Sequence, residues 1–220
     1  MSIKDLFHPY KKSGLGYQSR SKRHAFFMQL INKVPKPIKL LDLGGTQNYW
    51  ESMGLTETNE IRISLVNLQS EKTTYSNFIS LVGDATDLSE ISDKSFDVVF
   101  SNSVIEHVGD FGAQSRMARE VARIGKRYFI QTPNYWFPME PHFLVPGFQW
   151  FPIALRIWFI RHFNLGWHQR TKDFKRARDL INHTRLLTKR EFRSLFPKAK
   201  LYEEKIFGLT KSFIMYDGWD

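Results

Sequence analysis

Short, nearly continuous apolar runs alternate along this chain with stretches whose apolar residues recur every three or four positions. Ile38–Leu43, Ile61–Val66, Phe78–Val82, Phe96–Ser101 and Arg127–Gln131 are the runs. Strands this short and this apolar are buried on both faces, which is the signature of a parallel sheet sandwiched between helices. The helical stretches are Ser19–Val34, closed by Pro35 and Pro37, then Gly112–Ile124, stopped at Gly125, and Thr188–Phe196, where Thr188 and Glu191 have the spacing of a capping box. Strands near 201–207 and 212–216 complete the series. The alternation predicts an α/β three-layer sandwich with a mostly parallel seven-stranded sheet.

A chain of 220 residues that is 42% apolar suits one such domain, 1–220, with an N-terminal arm and helix over 1–34. Residues 135–185 break the alternation. Rich in Trp, Phe, Pro and Arg, they read as an insertion after the fifth strand that forms a lid over the sheet. With no cysteine, disulfide frameworks and thiolate metal sites are excluded. The first residues lack the apolar core of a secretory signal, and no run reaches the roughly 18–20 apolar residues of a spanning helix, so a cytoplasmic location is expected. The formal charge of +10, concentrated near the N-terminus and between Arg156 and Lys200, favours anionic partners.

The sharpest chemical signal is Asp42-Leu43-Gly44-Gly45, a buried strand running into an acid and a glycine turn. Glycines at the carboxyl end of a strand let the backbone approach a ligand closely. A carboxylate there suits a cationic amino group better than a phosphate. Gly83-Asp84-Ala85 follows the third strand, and Phe96-Asp97-Val98-Val99-Phe100-Ser101-Asn102-Ser103-Val104-Ile105-Glu106-His107 spans the fourth and its polar tip. With these three motifs in order, the chain resembles the class I SAM-dependent methyltransferases, in particular the type 11-like group, over roughly 20–134 and more loosely over 186–216.

The resemblance implies a Rossmann-like fold and S-adenosyl-L-methionine (SAM) as cofactor. It assigns Asp42, Gly44 and Gly45 to the methionine end of SAM, Asp84 and Ala85 to the adenine, and Ser101 to the floor beneath the sulfonium. Asn67 stands where the family usually has an acid for the ribose hydroxyls, and Gln47 or its neighbour replaces the third glycine of the turn.

On the acceptor side, a general base should lie past the fourth or fifth strand. Glu106 and His107 are one candidate, although they also suit the start of the following segment. His142, in the proline-flanked loop Tyr135–Phe143, is another. The same three residues resemble part of the Glu/His set of the small-RNA 2′-O-methyltransferases. Ser103 replaces that set's first acid, so no metal site is expected. The expected function is methyl transfer to a hydroxyl of a small-molecule or glycan acceptor. An RNA methyltransferase and a non-catalytic SAM-binding protein are the alternatives. The expected partner is a sugar or other small molecule. Nucleic acid is not favoured, and the aromatic stretch 148–161, bracketed by arginines, is a candidate peripheral membrane contact.

Overall fold

A computed structural model describes residues 14–219. Its frame is a seven-stranded sheet of β1 (Ile38–Leu43), β2 (Ile61–Asn67), β3 (Phe78–Val82), β4 (Val98–Asn102), β5 (Tyr128–Pro133), β6 (Lys200–Ile206) and β7 (Leu209–Asp217). The strand order is β3-β2-β1-β4-β5-β7-β6, parallel throughout except for β7, which is antiparallel to both neighbours. The order reverses between β1 and β4, where Asp42 pairs with Phe100 and Leu43 with Ser101. Connections leave those two strands in opposite directions, which opens a crevice at their carboxyl ends.

Helices cover both faces. On one lie α1 (Leu15–Ile31) and α2 (Gln47–Glu51), where Phe27 and Trp50 pack on Leu40, Phe100 and Phe129. On the other lie α3 (Phe111–Ile124) and α6 (Lys189–Leu195), with Met117, Val121 and Phe192 against Leu41, Val99 and Ile130. The capping box forms as its spacing predicts: the Thr188 side chain accepts from the Glu191 N–H and Glu191 reaches back to the Thr188 N–H. Asp110 caps α3, accepting from the Ala113 N–H at 2.8 Å.

Boundaries shift by a few residues along the chain, among them the starts of α1 and β4. The expected arm over 1–18 lies outside the described residues up to 13, and beyond that it is helical: α1 starts at Leu15 and takes the buried Gly16 inside. Strand β4 begins at Val98 rather than Phe96, because the Asp97 carboxylate turns to accept from the Lys39 N–H and the Lys126 ammonium.

The insertion holds α4 (Ile153–His162) and α5 (Phe174–Asn182), which share a small core of Phe143, Phe148, Ile157, Ile160 and Ile181. No helix among the described residues is long and apolar enough to cross a membrane.

One buried ion pair ties α1 to the sheet beside the crevice. Arg23 donates to both carboxylate oxygens of Glu204, at 3.0 and 2.7 Å, and to Asn102, while Ser212 donates to Glu204. Burial opposes both charges, but their mutual attraction prevails, holding the Glu204 carboxyl below the usual range and raising Arg23. Glu204→Gln should therefore cost about 3–5 kcal/mol in denaturant unfolding, since it strands a buried guanidinium, and a paired Arg23→Met/Glu204→Leu replacement should recover much of that loss. The contribution is present above the ordinary carboxylate pKa and lost as acid protonates Glu204, so the gap between parent and Glu204→Gln should narrow toward low pH.

Candidate active site

Strand alternation decides which side chains reach the crevice. Asp42, Phe100 and Asn102 share the α1/α2 face, and with Gly44, Gly45, Thr46, Tyr49 and Arg20 they line a 160 Å³ cavity. Ser101 has the opposite parity. It is fully buried and donates to the Leu43 carbonyl at 3.2 Å, so it lies behind the floor rather than on it. Phe100 and Asn102 line this cavity and Ser101 does not.

Asp42 is almost wholly buried. Its Oδ2 accepts from the Trp50 indole N–H at 2.7 Å, while Oδ1 has no partner among the described residues. Desolvation pushes its pKa up to about 8, against the opposing pull of the Trp50 bond. A buried carboxylate with one bare oxygen is a receptor for a cation, and a SAM ammonium fits it. The glycine turn is shaped to leave the approach open. Gly44 sits at φ +73°, and a Cβ on Gly45 would fall 1.6 Å from Asp42 Oδ2.

The other positions that the resemblance assigns to the cofactor follow along the sheet edge. Asn67 donates one amide N–H to the Gly45 carbonyl at 2.9 Å, which bolts the turn to β2 and leaves its second N–H and its carbonyl oxygen for a ribose hydroxyl. Asp84 is exposed at the end of β3, with Oδ1 accepting from the Thr86 N–H at 2.8 Å, and Ala85 beside it packs toward the core. The residues present fit the cofactor.

A second cavity, 180 Å³, adjoins the first across Arg20 and Asn102. Its polar wall includes Arg23, Ser103, Gln131, Asn134 and Lys211, and its apolar wall comes from Phe137, Met139 and Leu144 of the insertion. Desolvation, and then the nearby Arg23, push the Lys211 ammonium down to about 8. Sequence reasoning missed Arg20, Arg23 and Lys211. The available signal was a cation at the head of the apolar run Phe213–Met215, but only the pairing of β7 with β5 and the lie of α1 bring these residues to the crevice.

Glu106, His107 and His142 converge: one ligand atom from each lies within 4.8 Å of the others. The two Nε2 atoms face each other at 3.2 Å. His142 Nδ1 meets Glu140 Oε1 at 2.7 Å, and His107 Nδ1 meets the His183 carbonyl at 3.2 Å. Both Nδ1 atoms face oxygen acceptors, so in the neutral tautomers that donate to them two Nε2 lone pairs point at each other. Glu106 is fully buried, with Oε2 accepting from Thr132 and Oε1 without a partner. Burial raises Glu106 to about 7 and lowers His107 to about 4, while Glu140 raises His142 against its desolvation. Neither histidine borders the two cavities described above.

Residues 43–128 match the model of a methyltransferase domain family. Two uncharacterized proteins of Mycobacterium tuberculosis, from strains CDC 1551 / Oshkosh and H37Rv, are 45% identical to this chain over 58 residues, which is 26% of this chain and 20% of theirs. The match thus spans one-fifth of the length of these curated relatives. Among solved structures, a SAM-dependent methyltransferase from Aquifex aeolicus superposes with a TM-score of 0.52 at 10% identity, covering 88% of this chain and 87% of its own. The geranyl diphosphate C-methyltransferase of Streptomyces coelicolor, solved with Mg²⁺, geranyl diphosphate and S-adenosyl-L-homocysteine, superposes with a TM-score of 0.55 at 11% identity, covering 89% and 78%. At such identities the structures establish a shared fold. The methyltransferase-domain match covers the glycine turn and the fourth strand, and the chain shares its fold with these SAM-dependent methyltransferases.

Proposed function

We propose that this protein transfers a methyl group to a hydroxyl of a small-molecule or glycan acceptor seated in the 180 Å³ cavity. The observation that carries the reading is the junction of that cavity with the Asp42 cavity at Arg20 and Asn102. SAM supplies a methyl group on a sulfonium, and the chain's own task is to bring a nucleophile in line and take its proton. The acceptor cavity is smaller than the roughly 300 Å³ at which drug-sized sites begin, so one ring or chain end enters it. That favours a sugar-sized group over a strand of RNA. Asn102, Ser103 and Gln131 supply hydrogen-bonding groups for hydroxyls, and Lys211 takes the proton. We place the base on Lys211 rather than on His107 or His142 because Lys211 borders this cavity.

Three measurements test this reading. Because Asp42 must ionise to hold an ammonium, SAM affinity in calorimetry should strengthen by up to about tenfold per pH unit from pH 6 toward 8. The rise should end where the ligand's own amino group loses its proton, near 8. Asp42→Asn should weaken binding and flatten the profile, and a pH-independent parent would refute the assignment.

Incubation with methyl-labelled SAM and a panel of hydroxyl-bearing sugars and glycans should give an alkali-stable label. Lysine acts as a base only when neutral, so turnover should climb with pH and level off above about 8. Lys211→Met should lower kcat by about 10²–10⁴-fold and spare SAM binding. Label recovered in RNA instead would support the nucleic-acid alternative.

The Glu106–His107–His142 cluster favours an addition to this reading, against the sequence expectation of no metal: it holds a divalent transition-metal ion that pins the insertion to the core. Two imidazole nitrogens at about 2.0–2.1 Å from a tetrahedral ion stand about 3.3 Å apart, close to the 3.2 Å between the two Nε2 atoms. Glu140 and the His183 carbonyl orient the rings from behind, as partners of metal-bound histidines do. Chelator-stripped protein titrated with Co²⁺ should gain visible absorption and thermal stability, and His142→Ala should lose both while still binding SAM. Absence of any spectral change in the parent would leave a shared proton as the only cation between the rings.

A further inference from the structure

Helix α4 is apolar around nearly its whole circumference but is covered on one side only. Ile157 and Ile160 are buried in the insertion's core, while Ile153, Leu155 and Trp158 are 45%, 40% and 47% exposed. A helix apolar all round is ordinarily enclosed. Here the open side faces a 450 Å³ groove shared with α5, whose walls are Ile153, Ala154, Ile157, Trp158 and Phe174 and whose rim carries Arg161 and Arg178. Phe174 is itself 55% exposed. An exposed patch of this make-up, continuous over two helices, is an interaction surface rather than scattered surface apolarity.

Charge selects the partner. Residues 153–178 contain seven cations, at 156, 161, 170, 172, 175, 176 and 178, and a single acid, Asp173. That acid is occupied as the cap of α5, accepting from the Arg176 N–H at 3.1 Å. Tryptophan and phenylalanine ringed by arginine and lysine match an anionic lipid interface, where aromatic side chains sit at headgroup depth and the cations meet phosphate. An acidic protein partner would satisfy the charge but supplies no acyl chain for a groove whose walls are almost purely hydrocarbon.

We propose that the α4/α5 face docks onto an anionic bilayer surface, with Trp158, Ile153 and Phe174 inserted at the headgroup boundary and Arg161 and Arg178 on lipid phosphates. The proposal stands independently of the acceptor's identity.

The test is flotation of the whole chain with vesicles of phosphatidylcholine alone and of an equimolar mixture with phosphatidylglycerol. The protein should float with the anionic vesicles, stay down with neutral ones, and be released by salt. Trp158→Glu, at an exposed position, should abolish flotation while retaining SAM binding as a check on folding. Arg161→Gln and Arg178→Gln should each weaken partitioning by about fivefold, the equivalent of about 1 kcal/mol per basic residue. Failure to float on anionic vesicles at low salt, or equal flotation by Trp158→Glu, would overturn the proposal. So would light scattering that shows a dimer in the parent and a monomer in Trp158→Glu, which would assign the face to a second copy.

Discussion

The constraint on which the whole structure turns is that β1 is dry on both faces. Leu40, Leu41 and Leu43 have no exposed surface, and the backbone of β1 is paired to β2 on one side and β4 on the other. Such a strand can carry chemistry only where it ends. Its last inward polar side chain, Asp42, is left in a medium that disfavours its charge, with Trp50 satisfying one oxygen and nothing satisfying the other. A sheet that buried this carboxylate without a partner would be less stable than one carrying a leucine there, so the local cost points to a cationic ligand. The same dryness makes the interaction strong, because an ammonium arriving there meets little competing water.

Most of the frame was legible because buried parallel strands and amphipathic helices write different periods into sequence. The strand Phe78–Val82 and the Thr188 capping box appear where their residues say they should. What failed did so for physical reasons. Phe96-Asp97 reads as strand by composition, yet Asp97 spends its side chain on the Lys39 N–H and Lys126, and that contact starts the strand later. Ser101 was carried over by motif alone, whereas period two places Asp42, Phe100 and Asn102 on one face and Ser101 on the other. Arg20, Arg23 and Lys211 belong to the first helix and the last strand, and only the tertiary fold brings them to the lining of one cavity.

The Glu/His cluster is instructive in a different way. Sequence pattern argued against a metal because Ser103 occupies an acid's position. In the structure Ser103 sits at φ +57° and donates to Gln131 at 2.8 Å, taking no part in the cluster. The extra carboxylate comes instead from Glu140, 37 residues onward, which accepts from His142 Nδ1 and from the backbone N–H groups of His142 and Phe143. A motif written in consecutive positions is blind to a carboxylate supplied by a loop that folds back, although the chemistry of orienting an imidazole requires only proximity.

The insertion packs on itself and is held to the rest of the molecule by polar contacts. Its own core of Phe143, Phe148, Ile157 and Ile160 is separate from the two clusters that flank the sheet. It meets the domain through directional contacts: His142 against His107, the Arg185 N–H to the Glu106 carbonyl at 2.7 Å, and Gln114 to the Arg185 carbonyl at 2.8 Å. A body joined by a few polar bonds rather than by shared apolar packing has its position set by those bonds. Phe137, Met139 and Leu144, which wall the acceptor cavity, belong to that body. On the proposed reading, the shape of that cavity depends on how firmly the insertion is held as well as on the residues that line it.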